Sequence, residues 1–178
     1  KSLLEKVRES KQTDKDLQDA ISALIECLSE ATEQEEIDAS RESLELGWLG
    51  MGSYVSGFEK KVKEILQAPD RHVAAVSTGT AGLHIALLLA GVGPGDEVIV
   101  TPRTFIASIS CVVNAGAIPV FADVDSDSGN ISPATIAKVI TPRTRAVICV
   151  HLGGWPCDMD GIMALAAKHD FKVIEDCA

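Results

Sequence analysis

Three stretches of the chain put chemically useful residue types where a short apolar run ends. The first is "STGTAGLH", Ser77 to His84, in which small residues lead straight into a helical pattern. The free N–H groups of a helix start, with the positive end of its dipole, favour a phosphate there, and Gly79 and Ala81 leave room for close approach. An ordinary strand–helix turn is the other reading of the same residues. The stretch is not a Walker loop or a dinucleotide fingerprint, because neither GxxxxGKS/T nor GxGxxG occurs. The second is "TPRTFIAS", where Phe105 follows the run "DEVIV". A ring at a strand end can stack on a planar ligand, or simply belong to the core. The third is "KVIEDCA", with Glu175 and Asp176 side by side. Strand alternation sends them to opposite faces, so one enters a site while the other makes a structural contact. A buried carboxylate needs a partner: a cation, a metal, or the protonated ring nitrogen of a cofactor. A phosphate cradle, a stacking ring and a carboxylate together suit a planar phosphorylated heteroaromatic, and pyridoxal 5'-phosphate meets all three requirements.

The elements that position these residues follow from periodicity. From His72 onward strands and helices alternate: "HVAAVS" as a strand, "TAGLHIALLLAG" as a helix ended by Gly91, "DEVIV" as a strand, "TFIASISCVVNAG" as a helix ended by Gly116, "IPVFADVD" as a strand. Then come "SPATIAKVI", a helix with Ser132 as cap and Pro133 at its first position, "RAVICVH" as a strand, "DMDGIMALAAKHD" as a helix and "FKVIEDC" as a strand. The fold class is α/β. Five strands rich in Val and Ile, with helices between them, predict a parallel or mixed sheet covered on both faces. In such sheets ligands bind beyond the carboxyl ends of the strands, where the three stretches lie.

Residues 1–45 differ in character. They are rich in Glu, Lys, Gln and Ser, and Leu17, Ile21, Leu24, Ile25 and Leu28 recur with helical spacing. One or two amphipathic helices are expected, packed on the rest of the fold or on a partner subunit. No Pro/Gly-rich linker follows, so no free-standing domain is expected. The boundaries are thus 1–45 for a helical segment and 46–178 for the α/β part. At its start, "GWLGMGSYVSGFEKKVKEIL" predicts a pliable loop and then a helix capped by Ser53 or Ser56, with Phe58, Val62, Ile65 and Leu66 on one side.

Composition excludes several classes. The chain has 178 residues, 46% of them hydrophobic, which allows a real core and rules out wholesale disorder. The net charge of -10 argues against nucleic acid and against an anionic membrane surface. No window reaches the roughly 18 apolar residues of a membrane span. "KSLLEKVRES" is a charged amphipathic stretch rather than a secretory signal. Cysteines 27, 111, 149, 157 and 177 show no zinc spacing, and are read as reduced, mostly core residues of a cytoplasmic protein.

The stretches "GWLGMGSYVSGFEKKV", "STGTAGLHIALLLAGVGPGDEVIVTPRTFIAS", "AGAIPVFADVD" and "KVIEDCA" resemble the DegT/StrS-type sugar aminotransferases, in that family's order and spacing, from about Leu46 to Ala178. The resemblance implies a fold-type I, pyridoxal-phosphate-dependent enzyme. Its substrates would be a nucleotide-linked keto-sugar and an amino-acid donor, glutamate or glutamine. The product would feed polysaccharide, lipopolysaccharide or antibiotic sugar synthesis. Thr80 and Ala81 match the residues that bind the cofactor phosphate. Phe105 matches the aromatic that stacks on the pyridine ring, and Asp176 the acid that pairs with its nitrogen. Trp48 matches a loop that can line the substrate side. His84 is read as packing and His151 as a supporting or core histidine. Asp123, Asp125, Asp158 and Asp160 look like turn and cap residues. A homodimer with its site at the interface is implied for the complete protein.

The same resemblance implies what lies elsewhere. None of the ten lysines matches the family's Schiff-base lysine, which comes later than the strand carrying the acid. In the family the first strand is joined to the others by strands that come later in the chain. The sequence therefore reads as the front part of a longer chain, and residues 1–45 lack the family's usual entry segment. Three other functions compete: a sugar dehydratase of the same family with histidine at the lysine position, a non-catalytic fragment that binds a phosphorylated ligand or a partner, and a nicotinamide dehydrogenase, which the missing glycine fingerprint disfavours.

Overall fold

The computed structural model describes residues 34–47 and 50–178. The apolar stripe from Leu17 to Leu28, Cys27 and Trp48 lie outside the described residues. Contacts divide the chain into two compact units, one ending at Val73 and one running from Ala74 to Ala178.

The described part of the first unit is helical. Helix α1 (Gln34–Glu45) buries none of its residues. The amide of Gln34 donates to Asp38 Oδ1 at 2.9 Å, one turn on. Helix α2 (Ser53–Ile65) starts after Gly52, whose backbone is extended, and no side chain caps it. Neither Ser53 nor Ser56 is the cap, because both already have helical backbone, whereas a cap residue must stand outside the helix. On the expected apolar side, Phe58, Ile65 and Leu66 are exposed.

The second unit is a four-stranded sheet with helices on both faces. Its elements run α3 (Gly79–Leu89), β1 (Glu97–Val100), α4 (Ala107–Asn114), β2 (Ile118–Phe121), α5 (Pro133–Ala137), β3 (Thr144–Val150), α6 (Met159–His169) and β4 (Lys172–Asp176). The strand order is β2-β1-β3-β4, and all three neighbouring pairs are parallel. The sheet is therefore purely parallel. Val98 pairs with Ala146 while Glu97 pairs with Thr144, so β3 carries one extra residue, Arg145, at the start of the ladder. Pro119 sits in the edge strand β2, where a missing N–H costs no ladder bond.

The expected first strand, "HVAAVS", is a correction. Residues 72–76 form neither helix nor strand, and no described strand pairs with them. Apolar composition does not make a strand by itself. The backbone N–H and C=O groups need a neighbouring strand, and none of β1 to β4 pairs with residues 72–76.

Alternation along the strands divides the core into two layers. On one face Val98, Val100, Ala146, Ile148 and Val150 meet Leu87 of α3 and Cys111 and Val112 of α4. On the other Ile99, Val147 and Cys149 meet Ile136 of α5 and Ile162 and Ala166 of α6. Val98, Ile99, Val147 and Ile148 are fully buried, each contributing about 1.5–3 kcal/mol over exposure. The predicted helix ends also hold. Gly91 and Gly116 take positive φ of 75° and 76°, and the residue after each donates back to Leu87 and Val112. Ser132 caps α5 with Pro133 at its first position, and Thr135 returns a bond to the Ser132 N–H at 2.9 Å.

Candidate functional site

At the carboxyl end of the sheet, on the face covered by α3 and α4, Asp176 ends β4; Thr80 and Ala81 stand in the first turn of α3, and Phe105 in the loop between β1 and α4. Because Ile174 packs on that face, Asp176, two residues on, points the same way, and Glu175 points to the other.

Helix α3 starts here. Its cap is Thr78, whose extended backbone lets Oγ1 accept the Ala81 N–H at 3.1 Å. Among the described residues, the N–H groups of Gly79 and Thr80 have no partner. A Cβ built on Gly79 would meet nothing within 4 Å, so this end of the helix is open. The first turn thus offers two free donors, the Thr80 hydroxyl and the positive end of the helix dipole. Ala81 contributes its small side chain, since Thr78 already takes its N–H.

Phe105 lies in the loop from β1 to α4 and is 74% exposed, although it follows a fully buried strand. The buried Thr101 hydroxyl accepts the Arg103 N–H at 3.0 Å and turns the chain, while Phe105 C=O accepts from Ser108 N–H at 3.2 Å to start α4. Those two bonds shape the loop that carries the ring.

Asp176 is half-buried at the end of β4. Ser108, fully buried in the first turn of α4, donates from Oγ to Asp176 Oδ2 at 2.9 Å. Thr104 Oγ1 lies 2.8 Å from the same Ser108 Oγ. The other carboxylate oxygen, Oδ1, accepts the Ala178 N–H at 3.3 Å. Among the described residues each oxygen therefore has one donor, which leaves it a lone pair. One turn further along α4, burial pushes the Cys111 thiol up to about 11, with a smaller push from Asp176. Cys111 is a protonated core residue, not a nucleophile.

Glu175 makes the structural contact. His151 Nδ1 accepts the Cys157 N–H at 3.1 Å, so in the neutral ring Nε2 bears the proton, which it gives to Glu175 Oε2 at 2.9 Å. The backbone N–H of His151 also donates to Asp176 C=O at 3.0 Å, adding a rung beyond β3. His151 is thus a supporting residue that joins two strand ends. Asp125 accepts the Asp127 and Ser128 N–H groups in a turn, and Asp158 caps α6 by accepting from Gly161. His84 is half-buried along α3. Cys149 and Cys157 are buried as expected, whereas Cys177 is exposed, because it follows the last strand residue.

Sequence patterns alone do not single out Thr78, Thr104, Ser108 or Asn130. Asn130 is buried and ties two loops at this end of the sheet, donating to Trp155 C=O at 2.7 Å and accepting from Leu152 N–H at 3.2 Å. The one local signal for Ser108 is a hydroxyl inside the apolar helical run "IASISCVV", one turn after Thr104.

Known proteins place the chain in a family. The sequence profile of the DegT/DnrJ/EryC1/StrS aminotransferase family matches residues 30–178. The chain belongs to this family. It is 46% identical over 145 residues to the spore coat polysaccharide biosynthesis protein SpsC of Bacillus subtilis, covering 82% of this chain and 37% of that protein. It is 44% identical over 138 residues to GDP-perosamine synthase of Escherichia coli O157:H7, covering 77% and 37%. Among solved structures, an aminotransferase from Psychrobacter cryohalolentis superposes with a TM-score of 0.77 at 52% identity, over 83% of this chain and 37% of that one. NtdA from Bacillus subtilis, solved with bound cofactor PMP, gives 0.74 at 36% identity, over 78% and 32%. The chain thus spans only 32–37% of the length of these four proteins. No described helix is long and apolar enough to cross a membrane.

Proposed function

We propose that the complete protein is a pyridoxal-phosphate-dependent aminotransferase that places an amino group on a nucleotide-linked keto-sugar, with glutamate or glutamine as donor. The observation that carries this reading is the Asp176 carboxylate, held at the end of β4 on the same face as the open start of α3. The residues present fit the cofactor. The free N–H groups of Gly79 and Thr80 and the Thr80 hydroxyl would hold the phosphate, with Ala81 small enough to allow it near. The exposed ring of Phe105 would stack on the pyridine, and a free lone pair of Asp176 would take the ring N–H.

When bound, the cofactor supplies an electron sink for the substrate carbon that loses its proton. Asp176 keeps the ring nitrogen protonated through a charge-assisted hydrogen bond, and α3 fixes the ring by its phosphate end. Trp48 is assigned to the substrate side. The nucleotide-linked sugar is supported by the printed name of GDP-perosamine synthase, and a polysaccharide product by that of SpsC. A homodimer, supported by the family resemblance, a cytoplasmic location, supported by the cysteine usage, and a helical segment over residues 1–45, supported by their periodicity, complete the reading. A dehydratase gains no support from the relatives named above.

The test is Asp176→Ala in the complete enzyme, assayed for amino transfer from glutamate to a nucleotide-linked keto-sugar. Activity should fall by about 10²–10³-fold, the scale of losing one preorganised electrostatic partner. Undiminished turnover would remove Asp176 from the site and the proposal with it.

A further inference from the structure

We propose that Ser108 is a positioning residue that sets the rotation of the Asp176 carboxylate toward the cofactor ring, with Thr104 as the outer link. The inference rests on the role given above to Asp176. An ionised carboxylate only accepts hydrogen bonds, so the single proton of the Ser108 hydroxyl goes to Asp176 Oδ2, 2.9 Å away. Thr104 must then donate to Ser108, whose Oγ is 2.8 Å from Thr104 Oγ1. The direction of the whole chain, Thr104 to Ser108 to Asp176, is fixed by the charge at its end.

Such a link does work that β4 alone cannot do. The terminal torsion of an aspartate is broad, so the strand fixes where the carboxylate sits but not how its plane is turned. Ser108 on Oδ2 and the Ala178 N–H on Oδ1 grip the two oxygens separately and leave each one lone pair. A charge-assisted hydrogen bond to a flat ring weakens when that lone pair points out of line. Ser108 is fully buried in α4, so it is itself immobile, and Thr104 directly precedes Phe105. One hydroxyl chain therefore ties the loop carrying the stacking ring to the acid that meets the ring nitrogen.

The experiment uses the full-length enzyme loaded with pyridoxal phosphate, as Ser108→Ala, Ser108→Thr, Asp176→Asn and the Ser108→Ala/Asp176→Asn double variant. The readouts are kcat, KM, the cofactor dissociation constant, and the 15N chemical shift of cofactor labelled at the ring nitrogen. Ser108→Ala should lower kcat about 10–100-fold, as loss of an outer orienting partner does at metal ligands, with KM for the sugar within about twofold. The 15N resonance should move toward the unprotonated position, and Ser108→Thr, which keeps the hydroxyl, should restore both. In the Asp176→Asn background, Ser108→Ala should add nothing. If Ser108→Ala folds poorly, Thr104→Val leaves Ser108 in place and should shift the same readouts by less. A crippled Asp176→Asn beside Ser108→Ala and Thr104→Val enzymes with wild-type kcat and 15N shift would overturn the inference alone. An additive double variant would make Ser108 merely structural. A fully active Asp176→Asn enzyme would overturn the role of Asp176 itself.

Discussion

Ser108 and Asp176 stand 68 residues apart in the chain and 2.9 Å apart in space, joined by a hydrogen bond between the first turn of α4 and the last residue of β4. The bond crosses from a helix that follows the inner strand β1 to the edge strand β4, with β3 between the two. It exists because α4 packs on the same face as Ile174, so a polar residue in the helix's first turn meets a polar residue at the strand's end.

Thr78 and Thr80 should separate stability from ligand binding. Thr78 caps α3, so Thr78→Ala should cost about 1 kcal/mol of unfolding free energy. Thr80 is one residue inside the helix, and its hydroxyl has no partner among the described residues. Thr80→Ala should change stability by less than about 0.5 kcal/mol. It should weaken cofactor binding roughly tenfold, the scale of one hydrogen bond to a charged group. Denaturant titration and cofactor fluorescence titration of the complete protein measure the two effects; wild-type affinity in Thr80→Ala would take that hydroxyl out of the phosphate site.

Glu97, at the start of β1, should make stability depend on acid pH. The Thr141 hydroxyl, and after it the Arg143 guanidinium, hold its carboxyl below the usual range. A group whose folded value is depressed contributes above its unfolded value, and the contribution is lost as pH falls through the folded one. Glu97→Gln should therefore lower Tm at pH 7, and the gap to wild type should close as pH drops below about 4, under the ordinary glutamate value. Thermal melts from pH 7 to pH 3 decide this, and a gap that stays constant across the series speaks against it.

Asp170 is a site for stabilisation. It ends α6 with φ of 56°, in the left-handed region, where α3 and α4 place Gly91 and Gly116. A Cβ is strained there, and a carboxylate faces the negative end of the helix dipole. Asp170→Gly should raise stability by about 0.5–1 kcal/mol, net of the extra freedom glycine has when unfolded. Asp170→Asn relieves only the charge and should give a smaller gain. Equal melting of all three proteins would mean the position carries no strain.

Most of the local structure was legible in the sequence because its causes are local. Gly91 and Gly116 end helices through their own backbone freedom, and Ser132 with Pro133 starts one through bonds within four residues. The alternation in "KVIEDC" already sends Glu175 and Asp176 to opposite faces, and the structure finds them with His151 and Ser108 as separate partners. The error at residues 72–76 has the same root. An apolar β-branched run marks what can enter a sheet, but a strand exists only where another strand supplies its hydrogen bonds. At the cap of α2 the pattern offered two serines, and the backbone placed both inside the helix.

Spacing and residue type act over a few residues, and they were enough for the α/β alternation, the helix start at "STGTAG" and the acid at Asp176; they left Phe105 open between a stacking ring and a core residue, and the structure exposes it. Only the tertiary structure decided the order β2-β1-β3-β4, the surrender of the Ala81 N–H to Thr78, the fixing of His151 on Glu175 and the meeting of Ser108 with Asp176. Apart from the Thr78 cap, these depend on which distant segments share a face. That choice is made by burial of the whole set of apolar side chains at once, and no local window of sequence contains it.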